Sequence, residues 1–177
     1  MSPRTKQPEN HLPAIVDAAR MAADRRIFEG TLPIEGMSRL RASLADASGN
    51  ARYVLEFGAG ELGDRELHVR VEADLALECQ RTLETFVHPI EVDTRLGLID
   101  NEHQEAGLPQ GVEPLLLDDG SLRPAAVIED ELLLALPLVP VKPGSRLPEF
   151  DAGESPAEEA DEKHNPFAVL GKLKQNK

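Results

Sequence analysis

From Arg65 to Cys79 apolar and polar residues alternate. Leu67, Val69, Val71, Ala73, Leu75, Leu77 and Cys79 take the odd positions, with Glu66, His68, Arg70, Glu72, Asp74 and Glu78 between them. Successive side chains of a strand point to opposite faces, so this period of two predicts a long strand with one buried face. Arg52 to Gly58 does the same with Tyr53, Leu55 and Phe57, and GAGELGD (Gly58 to Asp64) supplies a turn between the two runs. After Cys79 the alternation restarts on even positions, Phe86, Ile90, Val92, Leu96 and Leu98. A short connector between two long alternating runs predicts an antiparallel hairpin.

Helical spacing marks two other regions. In PAIVDAARMAADRRIF (Pro13 to Phe28), Ile15, Ala18, Ala19, Ala22 and Ala23 recur at helical intervals behind Pro13 as a first-turn residue. SLRPAAVIEDELLLALP predicts a helix that starts near Ser121, carries Pro124 in its first turn and stops before Pro137. Its expected sheet-facing side is Val127, Ile128, Leu132, Ala135 and Leu136. Glu129, Asp130 and Glu131 are expected as an acidic ridge on its outer side, in the half where the helix dipole favours negative charge. Gly36 to Asp46 fits either a short helix or an entry strand, and Pro114 to Gly120 a short strand and turn. The expected fold is α+β: an antiparallel sheet with a long central hairpin, packed by a C-terminal helix and a short N-terminal helix.

Composition then divides the chain. Residues 1–12 are expected as a polar, flexible N-terminal tail, and residues 13–142 as the single α+β domain. Residues 143–164 are rich in acids, Pro, Gly and Ser, with too little apolar content to order themselves, so an acidic disordered linker is expected. In residues 165–177, Phe167, Val169, Leu170 and Leu173 follow Asn165 and Pro166. One apolar turn at the end of a tether either docks back on its own domain or binds a partner.

Charge is uneven. Residues 1–41 carry seven Lys/Arg against five Asp/Glu, residues 42–160 eight against twenty-five, and residues 161–177 four against two. The body is thus at −17, the difference of eight and twenty-five, and repels phosphate, because nucleic-acid affinity rests on cations that neutralise the backbone. A basic protein is the natural electrostatic partner of such a surface, although acidic faces also serve solubility alone. With no Trp and one Tyr, the chain lacks the aromatic platform of base-stacking readers.

Catalytic chemistry finds no foothold. Cys79 is the only cysteine, so no disulfide forms within the chain, and the five histidines show no metal-ligand spacing. The glycines of GAGELG (Gly58 to Gly63) lie between two strands and suit a hairpin turn rather than a phosphate loop. LLLALPLV (Leu132 to Val139) is too short to span a bilayer and is interrupted by Pro137. A cytoplasmic, non-enzymatic protein without cofactor, metal or membrane partner is expected.

LECQRTLETFVHPIEV (Leu77 to Val92), VEPLLLDDG (Val112 to Gly120), VIEDELLLALPLVP (Val127 to Pro140) and NPFAVLGKLK (Asn165 to Lys174) follow one another in an order that resembles the bacterial YceD-like family. Its members are described as large ribosomal RNA subunit accumulation proteins. The resemblance covers roughly residues 50 to 175 and implies a non-enzymatic cytoplasmic factor in ribosome biogenesis, needed for synthesis, processing or stability of 23S rRNA in large-subunit assembly. Many members carry C-x-x-C at the hairpin tip, and some add a second Cys pair near the C-terminus, a spacing that suits zinc. Here Thr82 stands at the second Cys position and the tail has no cysteine. Zinc is therefore not expected, and the tip must be held by hydrogen bonds and packing.

Resemblance and charge together point to a basic ribosomal protein or large-subunit assembly factor as partner. It would be steered by the acidic strands together with Glu129, Asp130 and Glu131 and anchored by Asn165, Pro166, Phe167, Val169 and Leu170, with rRNA contact weak or indirect. The alternative is a direct rRNA-binding protein that uses its basic ends, Arg20, Arg25 and Arg26 at one and Lys172 and Lys174 at the other.

Overall fold

The computed structural model describes residues 11–60 and 63–146. The chain divides into two units, Met1–Arg146 and Leu147–Lys177. The second lies outside the described residues, and with it the greater part of the 143–164 linker and the whole 165–177 motif.

Alternation in sequence becomes alternation in burial. Strands β1 (Val16–Asp17), β2 (Ile27–Pro33), β3 (Asn50–Ala59), β4 (Arg65–Glu78) and β5 (Thr85–Ile99) are followed by β6 (Glu113–Leu116) and β7 (Ser121–Leu122). Along β4 the side chains of Leu67, Val69, Val71, Leu75 and Leu77 are fully enclosed, while Arg70, Glu72, Asp74 and Glu78 are exposed. β2 to β6 form one sheet in the order β2-β3-β4-β5-β6, and β1 pairs β7 separately. The fold is α+β, with a sheet that is antiparallel apart from β6, which runs parallel to β5. A 3-10 segment, Glu102–Gly107, makes that crossover and brings Leu108 over Gly97. A Cβ at Gly97 would stand 2.4 Å from the Leu108 side chain, which explains a glycine inside a long strand.

One face of the sheet is packed by helices α1 (Ala18–Ala23), α2 (Ser38–Arg41) and α3 (Pro124–Leu134). Val127, Ile128 and Leu132 of α3 join Phe28, Leu55, Val69 and Leu96 in the main core. Ala135 is exposed and Leu136 only half-buried, so the apolar face of α3 ends one turn earlier than its sequence suggests. Within Gly36 to Asp46 only Ser38–Arg41 is α-helix, with a 3-10 turn, Ile34–Gly36, before it; a turn follows, and Asp46 makes an isolated antiparallel bridge with Ala76.

Two expected boundaries are corrected. The N-terminal helix covers Ala18–Ala23 rather than Pro13 to Phe28. Val16 pairs with Leu122 and Phe28 with Leu55, so backbone pairing with distant strands claims both flanks. Between them, Asp17 accepts the Arg20 N–H at 2.9 Å as N-cap, and Arg25, at φ 48°, turns the chain out of the helix. Ile15, expected on the apolar face, is exposed. The same pairing places Ser121 in β7, so α3 begins at Pro124.

Candidate functional site

The other face of the sheet bears the outward residues of β3, β4 and β5, and its two halves differ. In the proximal half the acids are paired across strands. Arg70 Nη2 donates to Glu56 Oε1 at 2.6 Å, and His68 Nε2 lies 2.6 Å from Asp93 Oδ1. His68, with help from Arg70 and Arg95, holds the Asp93 carboxyl below its ordinary pKa. Arg65 meets Asp100 at 2.5 Å near the crossover.

β4 and β5 continue as a hairpin beyond the point where β3 starts, pairing from Ala73↔Ile90 to Glu78↔Thr85. On this distal outer face Glu72 stands directly opposite Glu91, Asp74 opposite Pro89 and Ala76 opposite Val87. Val87 is 65% exposed, and Leu83 at the tip 71%. A groove of about 430 Å³ is lined by Arg52, Glu72, Asp74, Pro89 and Glu91 among others. Arg52 meets Glu72 at 3.1 Å, an exposed pair, whereas Asp74, Glu78 and Glu91 have no ion pair among the described residues. Like charges directly opposite on a sheet destabilise it.

The inner side of the same hairpin is closed. Leu77, Cys79 and Phe86 form a small cluster against which Leu44 and Leu136 pack. The segment after α3 is fastened across the tip: Gln80 N–H donates to Pro140 O at 2.9 Å, Arg81 to Ser145 O at 2.6 Å, and Lys142 Nζ meets Glu84 at 2.9 Å. Cys79 is buried, and its Sγ accepts the Lys142 N–H at 3.3 Å. The nearby Thr82 hydroxyl lowers the thiol pKa most, although its Oγ1 makes no hydrogen bond of ordinary geometry among the described residues. Burial opposes it, and the N–H groups of Lys142, Arg81 and Thr82 add to it, leaving the pKa at about 6. A lone sulfur that accepts the Lys142 N–H and itself donates toward Ser145 Oγ does not fit a metal ion, which needs several electron-pair donors. Among the described residues no group of three His, Cys, Asp or Glu could hold one.

The acidic ridge of α3 is the chief correction. Glu129 and Glu131 are only 8% and 7% exposed and do not lie on an outer side. Consecutive helical residues are about 100° apart, so three in a row fan over roughly 200° of the helix and cannot share one face. Glu129 turns to α2, whose N-cap residue, Met37, offers no side-chain acceptor. Glu129 Oε1 accepts the N–H of Arg39 at 2.7 Å and of Leu40 at 3.1 Å, and Oε2 accepts from Arg39 Nη2 at 3.0 Å. It is thus a cap donated by another helix, and its pKa shows the balance. Burial pushes it up, but the Leu40 N–H and the Arg39 side chain outweigh burial and leave it lowered. Asp130 remains half-exposed and pairs with the same arginine. Glu131 turns to the sheet; burial pushes its pKa up, only partly offset by the Thr94 hydroxyl.

Of the alternative RNA-binding set, Arg20 and Arg25 are exposed and Arg26 is half-buried. Arg20 and Arg26 line one groove together with Asp17. Lys172 and Lys174, like Asn165, Pro166, Phe167, Val169 and Leu170, lie outside the described residues. Glu72, Asp74, Val87 and Glu91 were not singled out from sequence. Parity in the two alternating runs already puts all four on the outer face, but the register that sets Glu72 against Glu91 is fixed only by the folded hairpin. No helix among the described residues is long and apolar enough to cross a membrane.

Comparison with known proteins adds a family. The model described as large ribosomal RNA subunit accumulation protein YceD matches residues 67–174, a span that includes the hairpin, the crossover and α3. A Haemophilus influenzae protein named large ribosomal RNA subunit accumulation protein YceD is 32% identical over 169 residues, covering 93% of this chain and 97% of that protein. No solved structure matches.

Proposed function

Because the chain belongs to the YceD family of large ribosomal RNA subunit accumulation proteins, we propose that it supports accumulation of 23S rRNA during large-subunit assembly, as a cytoplasmic, non-enzymatic factor that binds a basic ribosomal protein or assembly factor. The observation that carries the partner class is the disposition of charge. Arg39, Arg52, Arg65, Arg70 and Lys142 are each engaged by a carboxylate of the chain itself, and acids remain in excess on the sheet's open face. Such a surface repels RNA phosphate and steers a cationic protein. Ribosomal RNA is then affected through that protein, and the apolar residues Phe167, Val169 and Leu170 add an anchor to the encounter.

Deleting the gene in its native host and measuring the 23S to 16S rRNA ratio on gradient-fractionated ribosomes tests the role. The ratio falls and is restored by the intact chain. An unchanged ratio refutes it. The partner class is tested by salt titration of binding to purified large-subunit proteins and to 23S transcript. Tight binding to naked transcript, with a steep loss in salt and sensitivity to reversal of Arg20, Arg25 and Arg26, favours direct RNA contact instead.

A further inference from the structure

The distal outer face of the β4–β5 hairpin combines three features found together nowhere else among the described residues. First, Glu72 and Glu91 are set directly opposite each other, with Asp74 on the next outward position. Second, among the described residues Asp74, Glu78 and Glu91 meet none of the cations that neutralise the proximal half of the same face. Third, an apolar stripe of Ala76, Val87 and Pro89 runs between the acids, with Val87 well exposed. An antiparallel sheet gains nothing from like charges in register or from a bare valine. Both become favourable when a cation lies between the carboxylates and an apolar side chain covers the valine.

We propose that this distal face is the docking surface for an extended, lysine- or arginine-bearing segment of a basic protein. Its cations lie in the groove between Glu72, Asp74 and Glu91, and its apolar side chains lie on Ala76, Val87 and Pro89. The proposal rests on the reading of the protein as a partner of basic polypeptide and locates that contact. Charge selects this occupant over the others. RNA and an anionic membrane surface would bring phosphate against unpaired carboxylates, and a second copy of the chain would bring the same acids against themselves. The Arg52–Glu72 pair is no obstacle, because both side chains are well exposed and an exposed pair exchanges partners at little cost.

The test uses the full chain with individually purified basic proteins of the large ribosomal subunit as probes and 23S transcript as a separate probe. Variants are Val87→Asp, the double neutralisation Asp74→Asn with Glu91→Gln, and a control reversal of two exposed acids elsewhere, Glu102→Lys with Glu105→Lys. At least one basic protein binds the wild type. Val87→Asp and the double neutralisation weaken that binding by about tenfold or more, the loss of one good contact, while the control changes it by less than about twofold. The double neutralisation also melts no lower than the wild type, because it relieves repulsion, so its lost affinity is not lost folding. If a basic protein binds and both distal variants bind it equally well, or if the control weakens binding as much as they do, the docking surface is overturned and the proposed function stands. If the wild type binds only the transcript, or no protein probe at all, the docking surface and the basic-protein partner class on which it rests are both overturned.

Discussion

Replacing Glu129 by alanine separates a structural carboxylate from a partner-binding one. The side chain accepts two backbone N–H groups at the second and third positions of α2 and holds the Arg39 guanidinium. Leu40 is fully buried, so its N–H has no water to turn to once the carboxylate is gone. Leaving a buried donor unpaired costs about 1–3 kcal/mol, and the lost capping of α2 is about 1 kcal/mol by the same measure as other N-caps. Arg39 is half-exposed, so its pair with Glu129 adds little. These terms overlap, and together they predict a loss of about 2–4 kcal/mol. For a chain of this size that is a drop of about 6–12 °C in melting temperature. Glu129→Gln keeps one acceptor oxygen and loses about half as much. Thermal melting at neutral pH, followed by circular dichroism, measures both. The pH dependence adds a second check. Glu129 has a folded pKa below its unfolded value of about 4.3, so its contribution is complete above that value and disappears as pH falls through the lowered folded one. The gap between wild type and Glu129→Gln should accordingly close in acid. A melting temperature within a degree of wild type for Glu129→Ala would refute the capping role and return Glu129 to the surface.

Two further outcomes follow from the same neighbourhoods. Glu131 has a raised pKa because it is buried, so the stability linked to its protonated form is present at low pH and lost as pH rises through its folded pKa. Glu131→Gln, which keeps an acceptor for Thr94, therefore raises the melting temperature at pH 7 by about 2–4 °C, as a gain of about 1 kcal/mol would; a fall of that size refutes the assignment. Cys79 has the opposite sign. Its folded pKa of about 6 lies below the ordinary thiol value of about 8.5, so the tip is most stable above the latter and loses that gain as pH falls toward the former. Hydrogen exchange at the Lys142 amide, which donates to the sulfur, should slow over that rise in pH once corrected for the intrinsic rate, and Cys79→Ser should abolish the slowing. Equal profiles in the two proteins would count against a thiolate.

The chain's own order of residues determined the three long strands, their faces and the hairpin that joins β4 to β5. Side-chain direction in a strand depends only on parity, and the runs at Leu67 to Leu77 and Tyr53 to Phe57 are long enough to declare it. It also determined the excess of acid over base in the body, which no folding can alter. Tertiary structure decided where the ends of the helices fall and where the acids of α3 point. Val16 finds Leu122, and Ile27 finds Glu56, through backbone hydrogen bonds between segments far apart in sequence. A local window of alanines and arginines carries no trace of those bonds. The parallel seat of β6 beside β5 is equally non-local. Glu129 and Glu131 read as solvated charge because a helix taken alone shows which residues are polar but not which neighbours surround it. Here α2 comes with two unsatisfied N–H groups on one flank and Thr94 on the other. A carboxylate is buried only when donors arrive from elsewhere in the fold to meet it, and those donors belong to segments that meet only once the chain has folded.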